Sequence, residues 1–187
     1  MCGFWRAGLS ALAFAVVSTG CGGEEVRVHV DSFPGDTPPP RGEPLCFRPS
    51  QAASLSKRTR HGEVVAVCGG VLQEAGFPIV SAGTPGCHSV EIAWTLRHGP
   101  TVADGTVCWG DSLMFCSTGV RTYYNKAFGV RVREPDSGRA VFEAQARMST
   151  NNPNFTDWTV YAMCKAIFDH YPQRVAAQAF IIELPGQ

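Results

Sequence analysis

Cysteine is the residue type here with the most chemistry to offer. The 187 residues hold eight of them, Cys2, Cys21, Cys46, Cys68, Cys87, Cys108, Cys116 and Cys164. A thiol can cross-link, bind metal or act as a nucleophile. Zinc sites usually carry paired ligands at Cys-x-x-Cys spacing, and no two cysteines here have it. The sequence therefore calls for no metal. Cys87-His88 follows the turn Thr84-Pro85-Gly86. A thiolate beside an imidazole would be reactive, but a half-cystine next to a surface histidine is the favoured reading. His61-Gly-Glu63 has the His-x-Glu order of a zinc deaminase without the companion Pro-Cys-x-x-Cys. Neither a Gly-x-Ser-x-Gly elbow nor a Walker loop occurs. Asp104, Asp111 and Asp136 read as turn formers. The chain is expected to be no enzyme and to use no cofactor.

The N-terminus decides which of these thiols matter. Arg6 precedes an apolar run, Ala7–Val17, and then come Ser18-Thr19-Gly20-Cys21. A run this short cannot cross a bilayer, which takes about 20 residues, but suits the central region of a secretion signal. Thr19-Gly20-Cys21 resembles the lipobox of bacterial lipoproteins, in which the cysteine is acylated and becomes the mature N-terminus. Ser18 stands where the lipobox prefers Leu. The resemblance implies a signal peptide over 1–20, a lipidated N-terminus over 21–23 with acyl chains on Cys21, and an outer-membrane address facing the periplasm. Cleavage after Gly20 to a soluble periplasmic protein is the alternative.

Export exposes the remaining six cysteines to oxidants, and an even number suggests disulfides; buried free thiols are the bland alternative. Cys108 and Cys116 flank a segment that a hairpin-like loop could close, and Cys68 and Cys164 lie on the inward stripes of two helices expected to be neighbours. Cys46 with Cys87 follows only by elimination.

The elements that position these residues come from periodicity. Val26, Val28 and Val30 alternate with Arg27, His29 and Asp31, a half-buried strand. Residues 34–44, with Pro38-Pro39-Pro40, form a long loop within the domain. Val64, Cys68, Val71, Leu72 and Ala75 make a helical stripe closed by Gly76, and Phe77–Val80 starts a strand. His88–Arg97 alternates as a strand, and His98–Ser117 reads as a loop. Val120–Arg133 and Arg139–Met148 are strands joined through Pro135 and Gly138, with Tyr124, Phe128, Val130 and Val132 facing Phe142, Ala144, Ala146 and Met148. A second helix spans Thr156–Tyr171, and Val175–Leu184 is a last strand. The fold class is α+β: a two-layer sandwich of a mainly antiparallel sheet with two helices packed on one face, a single domain over 24–187. Strand parity leaves Arg27, Asp31, Glu91, Arg97, Arg131, Arg133, Glu143 and Arg147 on the other face, open to water or a partner.

Three stretches, Val64–Val80, Val130–Arg147 and Thr159–Pro172, together with the strand Val26–Phe33, resemble a family of uncharacterised Gram-negative envelope lipoproteins. Phe142 and Ala144 stand where that family places Trp and Gly. The resemblance implies a small α+β envelope domain and transfers no catalytic residue.

Formal charge is zero, with 44% apolar and 17% charged residues, so nothing points to nucleic acid. The expected partners are the membrane, through the lipid, and an envelope protein that meets the open sheet face or the loop bearing Trp109, Leu113, Met114 and Phe115. Carriage of a small apolar ligand is the alternative function, and a periplasmic enzyme the third. Non-reducing peptide mapping should recover Cys108 joined to Cys116; a free thiol at Cys108 removes that pair.

Overall fold

Alternating valines make β1, Glu25–Pro34, with Val28 and Val30 fully buried and Arg27 and His29 exposed. The computed structural model of the chain describes residues 25–48, 55–109 and 115–184. The signal and lipidation segments expected over 1–23 lie outside them. The order continues with β2 (Leu45–Phe47), α1 (Leu55–Glu74), β3 (His88–Trp109), β4 (Phe115–Arg133), β5 (Ala140–Thr150), α2 (Asp157–Phe168) and β6 (Val175–Glu183). The class is α+β. Six strands form one sheet in the order β2-β3-β4-β5-β1-β6, antiparallel throughout except for β2 beside β3.

The register between β4 and β5 sets the centre of the core. Phe128 lies opposite Ala146, Val130 opposite Ala144 and Val132 opposite Phe142, and all six are buried. The expected alternation holds over these residues, but Tyr124 pairs with Thr150 and is only half-buried, and Lys126 stands opposite Met148. The turn is closed by the Glu134 N–H donating to the Arg139 carbonyl (2.9 Å), with Gly138 at φ +65°. Against this face packs α2, which contacts β1, β4, β5 and β6 and buries Val160, Ala162, Met163, Cys164, Ile167 and Phe168. Helix α1 packs on α2 and buries Val64, Cys68, Val71 and Leu72. Gly76, at φ +91°, ends α1: the Phe77 N–H turns back to the Leu72 carbonyl (2.9 Å).

Cys68 and Cys164 join α1 to α2, and Cys46 and Cys87 join β2 to the start of β3; each pair has Cα atoms 5.9 Å apart, ordinary disulfide spacing. They close loops of 96 and 41 residues. Chain-entropy reasoning assigns them about 5 and about 4 kcal/mol.

Two expectations need correction, and one strand is new. His98–Ser117 is no loop: β3 and β4 run on as a paired hairpin to Trp109 and Phe115. Its Gly99-Pro100 and Asp104-Gly105, turn formers by local preference, fall at two irregularities of the ladder, between His98 and Thr101 and between Ala103 and Thr106. Phe77–Val80 makes a single bridge, Ile79 to Leu45, instead of a strand. The Pro-rich stretch gives way to β2, whose parallel pairing with His88–Val90 was not foreseen. The loop itself is tied to the core, because the buried Tyr171 hydroxyl donates to the Pro39 carbonyl (2.5 Å).

Strand β6 is stapled by one buried hydroxyl. Ser32 Oγ donates to the Gln173 carbonyl (2.8 Å) and accepts from the Val175 N–H (3.0 Å). Ser32→Ala leaves that N–H buried and unpaired, a cost of about 1–3 kcal/mol. Urea denaturation should show this loss; a change below about 0.5 kcal/mol, the scatter of an ordinary surface substitution, would contradict it.

Candidate functional site

The face of the sheet opposite the core is a polar trough. Its floor lies along β4, where the outward positions are Ala127 and Gly129, with Ala93 opposite Gly129 on β3. Small side chains in the middle of a sheet leave a depression between taller neighbours on β3, β5 and β1. Gly129 is not needed there by the fold. Its φ is not positive, and a Cβ added to it would meet only Ala93 O at 3.8 Å and Ala144 O at 3.9 Å, ordinary contact distances. Glycine inside a strand weakens it and often marks a place where another molecule approaches the backbone.

Two cavities follow this floor and share Gln145. The larger, about 690 Å³, is walled by Arg27, His29, Thr95, Arg97, Asn125, Arg147 and Ser149, besides Gln145. The second, about 510 Å³, reaches Phe33, Glu91, Arg131 and Glu143. Cross-strand register sets the walls of the first. Thr95 faces Ala127, Ala127 faces Arg147 and Arg147 faces His29; one row further along, Arg97 faces Asn125 and Asn125 faces Ser149.

Charge separates the two ends. Around the smaller cavity every arginine is ion-paired: Glu91 pairs with Arg48 (3.0 Å) and Arg133 (3.1 Å), and Glu143 with Arg131 (2.6 Å). Around the larger one, Arg147 meets Asp31 at 3.4 Å and donates to Gln145 Oε1 (2.6 Å), and no carboxylate lines the wall. Arg27 and Arg97 form no ion pair among the described residues. The outward set expected from parity is therefore assembled as one surface, with Arg97, Arg147 and Arg27 at one end and Glu91, Arg131, Arg133 and Glu143 at the other.

The cysteine chemistry resolves differently. Cys87 is bonded to Cys46, so no free thiol stands beside His88, whose ring lies 3.9 Å from Glu43. His61 stacks on Trp94 at 5.8 Å while Glu63 turns to Arg60 (2.6 Å), and the two do not converge. Among the described residues no group of three metal-ligating side chains comes together. Cys108 and Cys116 are direct partners in the β3–β4 ladder; their side chains lie outside the described residues. Trp109 and Phe115, expected in a partner loop, face each other at the end of that ladder, and Leu113 and Met114 lie outside the described residues. From Thr101 to Trp109 the hairpin extends about 27 Å at ~3.3 Å per residue as an arm beyond the last β4–β5 pair, Tyr124 with Thr150, and Val102 and Val120 on it are exposed.

One polar group escaped the sequence reading. Lys126 sits at an inward position of β4, between Tyr124 and Phe128, and is 1% exposed. Its Nζ donates to the Asn154 carbonyl and to Thr159 Oγ1 (3.3 Å) and lies 5.5 and 5.9 Å from the rings of Trp158 and Phe155. It fixes the turn before α2 to the sheet. Alternation alone, applied without skipping a residue, would have placed it inside.

No protein-family model matches the chain, and no curated protein does. Among solved structures it is similar to a PDZ domain protein from Parabacteroides distasonis, with TM-score 0.57 and 12% identity over 86% of this chain and 39% of that one. The chain thus spans well under half of that relative, and the likeness is one of fold. A PelC dodecamer from Paraburkholderia phytofirmans aligns with TM-score 0.45 and 9% identity over 75% of this chain and 93% of that one. No helix among the described residues is long and apolar enough to cross a membrane.

Burial lowers the pKa of Lys126 below its ordinary value. The unfolded chain therefore holds the proton to higher pH than the folded one, and folding gains stability as pH rises toward the ordinary lysine value of about 10.4. Comparing urea midpoints of the wild type and Lys126→Met between neutral and alkaline pH should show the difference moving in favour of the wild type. A difference that stays flat with pH would refute this account of Lys126.

Proposed function

We propose that this protein is an exported, non-enzymatic binding module of a Gram-negative envelope, held by acyl chains on Cys21, whose working surface is the open face of its sheet. In this reading the helices and sheet form a two-layer sandwich. The helices occupy the inner face, and the outer one is left for a partner. The observation that carries the reading is the contrast between the two faces: one sealed by apolar side chains, the other carrying the arginines and the larger cavities described above. The two cysteine pairs at disulfide spacing support an oxidising compartment. The N-terminal pattern Ala7–Cys21 supports the lipid anchor. Non-enzymatic binding is favoured over catalysis because Cys87 is engaged in a disulfide and neither His61 nor His88 has a catalytic companion.

A photo-crosslinking residue at position 95, on the trough wall, tests the surface in cells; the same residue at position 66, exposed on α1, is the control. One envelope protein or ligand joined through position 95 and not through position 66 is the expected result. Equal, unspecific capture at both sites would overturn the proposal. Mass spectrometry of the mature protein tests the anchor: an acylated N-terminal Cys21 is expected, and an intact Met1 would refute export.

A further inference from the structure

Resting on the reading of the open face as a binding surface, we propose that its larger cavity is a site for a small molecule bearing two or more phosphate or carboxylate groups. The site has three arginines, Arg27, Arg97 and Arg147, on strands β1, β3 and β5 around the shallow floor at Ala127. A guanidinium presents paired N–H donors that match the oxygens of such groups, and these charge-assisted bonds are the strong ones. Thr95, Asn125, Gln145 and Ser149 supply neutral hydrogen-bonding groups between the charges. No carboxylate lines the cavity wall; Asp31, which meets Arg147 at 3.4 Å, lies outside it.

Shape selects the size of the occupant. A volume of about 690 Å³ falls within the usual range for small-molecule sites, roughly 300–1,000 Å³. A flat anionic surface or a folded acidic partner would touch the arginine rim and leave the floor empty. The floor is low because Ala127, the small residue there, stands in register between Thr95 and Arg147. At the opposite end of the face Arg48, Arg131 and Arg133 are already engaged by Glu91 and Glu143, so their donors are not free for a ligand.

Calorimetry on the purified full chain in low-salt buffer, with tripolyphosphate and with citrate as probes, tests the site. At least one probe should bind with one-to-one stoichiometry. Arg97→Ser and Arg147→Ser should each weaken it roughly ten-fold, the loss expected for one charge-assisted hydrogen-bonded contact. Arg48→Ser, at the opposite end of the face, should leave affinity unchanged. Ala127→Phe keeps every charge and fills the floor, and should abolish binding; Thr95→Trp closes the same space from β3 should the first variant fail to fold. Failure of both probes to bind overturns the proposal, as does undiminished affinity in a folded floor variant, which would reveal a diffuse positive potential. Crosslinking of position 95 to an envelope protein with neither probe bound would sink this inference and leave the open face a binding surface.

Discussion

Strand parity is the constraint on which the rest of this molecule depends. Side chains along a strand alternate between faces, so a slip of one residue would exchange core and surface along that whole strand. Val28 and Val30 on β1, Phe128, Val130 and Val132 on β4, and Phe142, Ala144 and Ala146 on β5 all point to the side where α2 lies. The same registers deliver Arg27, Arg97 and Arg147 to the other side. Core and candidate site are thus two readings of one set of hydrogen-bond ladders. Neither can be altered by a register change without destroying the other.

Two kinds of fastening hold the helices and loops to that sheet. The disulfide between Cys68 and Cys164 fixes α1 to α2 at a place where both are already buried, and it acts chiefly by limiting the unfolded chain. The other kind is local and polar. Ser32 and Lys126 each join a strand, and Tyr171 the turn after α2, to an irregular segment through a backbone carbonyl, at Gln173, Asn154 and Pro39 respectively. Buried carbonyls in loops need such donors.

Much of this was legible in the sequence where alternation was clean. The valines of β1, the β4–β5 register and the two helical stripes were all readable, because apolar periodicity is a direct imprint of burial. The arm formed by β3 and β4 was not. Glycine, proline and aspartate in residues 98–117 are turn formers by local preference, and here cross-strand pairing overrides that preference with two irregularities in the ladder. Strand β2 was hidden for a different reason: three residues are too few to show a period, and their pairing partner lies 43 residues away. The face with the arginines followed from parity, but its concavity did not. That depends on Ala127 and Gly129 lying beside Ala93, a juxtaposition across strands that no stretch of sequence displays.

The direction of the strands has a mechanical consequence. Because β1 and β4 are both antiparallel to β5, they run the same way, and the beginning of β1 lies at the end of the sheet from which the hairpin arm departs. Glu25 opens β1 only four residues after Cys21, a leash of at most about 14 Å. The arm is roughly twice that length. A molecule moored by Cys21 would have little freedom to swing, and the arm would project from the same end of the sheet as the mooring.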